Sequence, residues 1–392
     1  MTLAPAPADA PALNPLLVAD APPAAGHQSS APARTWLSYG TAIRVLGIWA
    51  VIVGHVCDMP LFDPATPRSD WWVLNLVDSA CRWAVPLFIM LSGAIHLANH
   101  KQPADAFYRK RLARLSVPII AWSAFFMWLS VYYTGWSTAD QAWRDLLLGK
   151  PYPHLHFIYR IAGLYLLTPM LRVFVAHAPR RMLGLTVILL LALASASSVA
   201  DGLAHTELSA FARFAPFLGY YLAGYWLREV TVPRRWIPWC WLGLFACILA
   251  LAGSTGWLTA HYGLTPYPST GMLMIDFLSP VRVVMAVFAW LVFAYHFRAP
   301  HRGGFTSARP ANSNQRGLGS LAASVLAPAV LGVYLVHPLF REILHVHGYT
   351  ALWPNVYLGI VLISVAVMVP AWLVVLLALR IPVLRTIVNG AG

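Results

Sequence analysis

The chain has 392 residues, 59% of them hydrophobic and only 10% charged, with a net charge of +13. Soluble globular proteins carry about 25% charged residues, so this balance excludes a water-soluble domain and predicts an all-α, polytopic membrane protein. In such a chain a positive excess serves orientation and phospholipid contact, which sets nucleic acid aside as a partner.

Residues 1–35 are rich in Ala and Pro, hold no apolar run long enough for a signal segment, and read as a disordered cytoplasmic tail. The membrane domain covers residues 36–385. Apolar runs predict ten transmembrane helices, at about 37–57, 73–98, 115–134, 156–176, 182–200, 208–227, 236–256, 275–297, 319–341 and 355–379. With the N-terminus inside, about 18 of the 27 basic residues fall in cytoplasmic connections, so both termini are expected in the cytoplasm. The segment at about 299–318, rich in Arg, Gly, Ser, Asn and Pro, reads as a flexible cytoplasmic loop. The cysteines Cys57, Cys81, Cys240 and Cys247 have no metal spacing, no HExxH occurs, and no metal site is expected. Cys57 and Cys81 are better read as two buried thiols than as a pair.

The first span, Tyr39 to Asp58, carries Arg44 and His55 within an otherwise apolar run. Eleven residues are about three turns plus roughly 20°, so both side chains leave nearly the same face, about 16 Å apart along the axis. Ionisable groups in a bilayer face a bundle interior or a wet cavity. Arg82, Arg160, Arg213, Arg282 and Arg341 add further cations within or at the ends of spans. Some of these suit pairing with carbonyls or with acids such as Asp78 and Asp276. Others suit a cavity that receives a polar or anionic molecule.

Four further stretches complete a pattern. Val85-Pro86-Leu87-Phe88 with Leu91-Ser92-Gly93 lies in the second span, after Arg82-Trp83. Phe107-Tyr108-Arg109-Lys110-Arg111, with Arg114 and Pro118, opens the third. His154-Leu155-His156-Phe157, with Tyr165-Leu166-Leu167-Thr168-Pro169, forms the fourth. Leu331-Gly332-Val333-Tyr334-Leu335-Val336-His337-Pro338 lies in the ninth. In this order, and with Arg44 and His55, the stretches over residues 37–380 resemble the membrane acyltransferase-3 family. Within it they are similar to the surface-polysaccharide O-acetyltransferase branch, which includes the enterobacterial common antigen O-acetyltransferase. The resemblance implies a ten-helix core that takes an acyl group from acyl-CoA and places it on a hydroxyl of a glycan or lipid. It puts the essential histidine at His55, its arginine partner at Arg44, and the basic cytoplasmic mouth at Arg109, Arg111 and Arg114. His156 departs from the branch, where tryptophan commonly follows the His-Leu pair.

As chemistry, an imidazole titrating near 6.5 can take a proton from a hydroxyl that attacks a thioester, or can itself carry the acyl group. Asp58, one turn on, can orient the ring. The CoA nucleotide would sit among Arg109, Arg111 and Arg114, with the pantetheine arm passing Arg44 to reach His55. Arg82, His154, Arg160 and His337 are expected near the acceptor. Ser92 reads more as close packing than as a nucleophile. The expected function is an O-acetyltransferase of the bacterial inner membrane, using acetyl-CoA as co-substrate with no permanently bound cofactor. The alternative is a permease for an anionic solute, against which the absence of repeat symmetry counts. A catalytically silent partner in polysaccharide export is a third reading.

Overall fold

The computed structural model describes residues 33–100, 102–204, 213–263, 270–297 and 322–390. All of its regular structure is helical, with no strand among the described residues. The tail expected over 1–35 lies outside the described residues apart from 33–35, and so does the loop expected over 299–318. Among the described residues thirteen α-helices follow one another: α1 Ala33–Leu61, α2 Arg68–Cys81, α3 Ala84–His96, α4 Ala104–Trp128, α5 Ala139–Leu147, α6 His156–His177, α7 Arg180–Ala204, α8 Leu218–Leu227, α9 Ile237–Tyr262, α10 Pro280–Phe297, α11 Ala327–Val346, α12 Val356–Ala378 and α13 Pro382–Asn389. Nine stretches of the described residues are helical, long and apolar enough to cross a membrane. The run expected at about 208–227 differs: residues 208–212 lie outside the described set, and the remainder is a short 3-10 turn followed by the ten-residue α8.

α8 is short and lies in the interior. Seven of its ten residues are buried, on every side of the helix. It packs directly on α3, where Gly93 lies against the Tyr221 carbonyl and Gly224 against the Met90 carbonyl. Small residues allow such backbone contact between membrane helices, where van der Waals packing rather than water drives association. A Cβ at either glycine would meet backbone, which cannot rotate away. Gly224→Ala is expected to cost about 1–3 kcal/mol by overpacking, read as a lower thermal midpoint of the purified protein. An unchanged midpoint would show that the contact is loose.

The second predicted span is broken into α2 and α3 at Arg82 and Trp83. The cause lies four residues downstream: Pro86 has no N–H, so the Arg82 carbonyl loses its intrahelical donor. Arg282 on α10 supplies the replacement, its Nη2 donating to that carbonyl at 2.9 Å while Nη1 donates to the Ile275 carbonyl at 2.5 Å. In hydrocarbon a bare carbonyl is costly, so a buried arginine here restores the hydrogen bond that proline removes. Asp276 is not its hydrogen-bonding partner; that carboxylate accepts from Ser198 Oγ and Leu278 N.

Candidate active site

One face of α1 organises the site. Thr41, Arg44, Ile48, Val51, His55 and Asp58 recur at alternating intervals of three and four residues, which keeps them on a single helical stripe. Along it lie two cavities. Thr41, Arg44 and Ile48 line an inner cavity of about 510 Å³, and Val51, His55 and Asp58 line a chamber of about 60 Å³. α3, α6 and α11 also contribute residues to both linings, so four helices wall both spaces.

In the small chamber, His55 Nδ1 lies 2.9 Å from Asp58 Oδ2. A carboxylate accepts only, so Nδ1 carries a proton, and in the neutral form of the ring Nε2 keeps the lone pair. Arg82 Nη2 donates to Asp58 Oδ1 at 3.1 Å, and its Nε donates to Asp78 Oδ2 at 2.6 Å. One carboxylate is thus shared between an imidazole and a guanidinium, and the guanidinium is shared between two carboxylates. Each charged group has a partner, as burial in an apolar bundle requires. The helix break delivers Arg82 to this position, because it ends α2 beside Asp58.

His55 is also held from α11. Arg341 Nη1 donates to the His55 carbonyl at 3.3 Å, and its Nε and Nη2 grip Glu342 Oε1 at 3.2 and 2.5 Å. Both residues of this pair are buried. The His337 ring stacks on His55 at 5.5 Å between centroids, and the His154 ring meets His337 edge-on at 5.8 Å. His337 Nδ1 is fixed by the Val333 carbonyl at 3.2 Å, one turn back and just ahead of Pro338, while its Nε2 is buried without a partner. Both ring nitrogens of His154 are likewise buried and unpartnered. Burial, reinforced by the facing His337 and His55, holds the His154 pKa well below the ordinary imidazole value. It is therefore a neutral ring at pH 7, able to donate at one nitrogen and accept at the other.

The inner cavity gathers Arg44 from α1 with Arg111 and Arg114 from α4. Arg114 is bound at the C-terminus of α13, donating to the carbonyl and Oδ1 of Asn389 at 2.9 and 3.1 Å. Arg111 Nε is buried with no partner. Arg109 lies outside this cavity, exposed and paired with Asp105 at 2.8 Å. Helical phase explains the split: 111 and 114 are three residues apart on one face, whereas 109 is two residues, about 200°, away from 111. Ser92 lines the inner cavity rather than the chamber with His55.

Of the four residues expected near an acceptor, Arg82 and His154 line the chamber and His337 stacks on its histidine. Arg160 borders neither cavity; its guanidinium lies over the Phe217 and Phe277 rings at 4.5 and 4.7 Å. His156 lines the chamber, with Nδ1 2.5 Å from the Pro153 carbonyl. Cys57 and Cys81 are free thiols. Glu342 and Asn389 escaped sequence reasoning. Glu342 stands beside an intramembrane arginine and was legible as its partner, while Asn389 follows the last apolar run and carries no signal. Among the described residues no group of three or more His, Cys, Asp or Glu is arranged to hold a metal ion.

Residues 38–376 match the model of the acyltransferase-3 family, described as an acyltransferase domain. The chain belongs to the acyltransferase-3 family. Together with its apolar helices, this makes the protein a multi-pass membrane acyltransferase. No curated protein and no solved structure matches the chain.

Proposed function

We propose that the protein moves an acetyl, or another short acyl group, from cytoplasmic acyl-CoA to a hydroxyl of a lipid-linked or exported glycan at the bacterial inner membrane, in the manner of the surface-polysaccharide O-acetyltransferase branch. The observation that carries this reading is the single stripe on α1 joining a wide, arginine-lined cavity to a small chamber with an oriented imidazole. Arg111, Arg114 and Arg44 suit a polyanionic donor head, because guanidinium forks bind phosphate oxygens in pairs. The roughly 16 Å from Arg44 to His55 suits a long, thin arm that carries a thioester.

In the reaction, the acceptor oxygen attacks the thioester carbonyl as its proton passes to His55 Nε2. Asp58 holds Nδ1–H and stabilises the imidazolium that forms. The C–S bond then breaks, and the thiolate takes the proton from His55 to leave as CoA thiol. An ester on the glycan and a neutral His55 remain, so atoms and charge balance. His154, a neutral ring with both nitrogens buried and unpartnered, would hydrogen-bond the acceptor hydroxyl in this scheme.

The test is transfer of label from acetyl-CoA to lipid-linked glycan fractions by purified protein in lipid discs. Arg111→Gln is expected to raise the KM for acetyl-CoA about tenfold or more with kcat little changed, as loss of a charge-assisted hydrogen bond to the donor. An unchanged KM removes Arg111 from the donor site. Solute counterflow without acylation would replace the enzyme by a permease.

A further inference from the structure

Among the described residues the two cavities share two lining residues, Phe157 and Tyr334. Their rings meet edge-on at 5.4 Å between centroids, one from α6 and one from α11. The two members differ in how they are held. Tyr334 is buried, and its hydroxyl donates to the His154 carbonyl, so it cannot turn without losing that bond. Phe157 is only partly buried and has no polar anchor; it rests against Phe88 at 6.1 Å, itself a lining residue of the inner cavity. One ring is a fixed post and the other a leaf held by apolar contact alone.

Size gives this pair a consequence. On the inner side there are about 510 Å³, and on the side of His55 only about 60 Å³. A water needs roughly 10–15 Å³, so the chamber is small beside the donor cavity and suits a two-carbon acyl group with the attacking hydroxyl better than a longer tail. The walls cannot simply swell, since Arg82, Asp58 and Asp78 are tied to one another and Arg282 ties the break between α2 and α3.

We propose that Phe157, working against Tyr334, selects the length of the acyl chain and closes the passage between the donor cavity and the chamber of His55. This rests on the reading that the donor is an acyl-CoA entering from the arginine-lined side. Removing the phenyl ring merges the two spaces, so a longer acyl tail can lie back across the partition while its carbonyl stands at His55. It also opens the chamber to water from the donor side, so that thioester hydrolysis, giving a free acid and CoA thiol, rises without any acceptor.

The experiment follows CoA thiol release by full-length protein in lipid discs, supplied with acetyl-, butyryl- and hexanoyl-CoA and with water as the only acceptor. For Phe157→Ala the ratio of hexanoyl to acetyl turnover is expected to rise at least tenfold over the unsubstituted protein, and for Phe157→Leu by a smaller factor in the same direction. Phe157→Leu keeps an apolar contact with Phe88 and serves if the alanine variant does not fold, which monodispersity on gel filtration reports. A ratio unchanged in a folded variant overturns the partition while leaving the donor reading intact. If the unsubstituted protein releases no thiol above the His55→Ala background, even with glycan acceptors present, the donor reading fails and the partition falls with it.

Discussion

His55→Ala is expected to lower acyl transfer by about 10²- to 10⁴-fold, the range for a positioned general base, which corresponds to roughly 3–5.5 kcal/mol of transition-state stabilisation. Donor binding should survive, because the arginines that suit the donor head line a different cavity. The split between lost kcat and retained acetyl-CoA affinity is the diagnostic part. A structural histidine would instead weaken both, through a looser bundle. Asp58→Asn provides the companion measurement: it keeps the shape of the carboxylate and removes its charge, leaving Arg82 with Asp78 alone. A fall in kcat smaller than that of His55→Ala, at unchanged donor affinity, is the result expected of an orienting group. Full activity in His55→Ala would dismiss the imidazole as the base, and full activity in Asp58→Asn would dismiss the carboxylate as its orienting group.

The second large effect lies behind the site. Glu342→Ala leaves the Arg341 guanidinium buried without its carboxylate, and such half-removed pairs cost about 3–5 kcal/mol. The thermal midpoint should drop sharply. Replacing both partners, as Arg341→Met with Glu342→Leu, is expected to return most of that stability, since two apolar side chains of similar size need no partner. Turnover should not return with it, because the His55 carbonyl then lacks the donor at 3.3 Å that α11 provides. If the double variant recovered stability and activity together, the pair would be a packing element with no hold on His55.

Much of this arrangement was written in the spacing of α1. Arg44 and His55 share a face because eleven residues are close to three whole turns, and no neighbour can alter that. The same arithmetic separated Arg109 from Arg111 and Arg114, although a cluster of basic residues tends to be read as one patch. The break at Arg82 was harder to foresee. Proline is tolerated inside membrane helices when another group satisfies the freed carbonyl, and Pro118, Pro169 and Pro370 all lie within continuous helices here. Whether Pro86 bends or severs its helix depends on Arg282, about 200 residues away in the chain. The short α8 was concealed for a different reason. Its composition is that of a lipid-spanning run, but apolar residues packed against other helices and apolar residues packed against lipid look alike. Phe157 and Tyr334 were visible only as members of motifs, since a partition exists only when two rings on separate helices meet.

The hydrogen bond from Arg341 to the backbone of His55 closes a loop of 286 residues. A growing chain enters the bilayer in order, so α1 must wait for nearly all of its successors before its histidine is braced. Premature termination upstream of α11 would therefore leave a fragment in which the backbone of His55 lacks this brace.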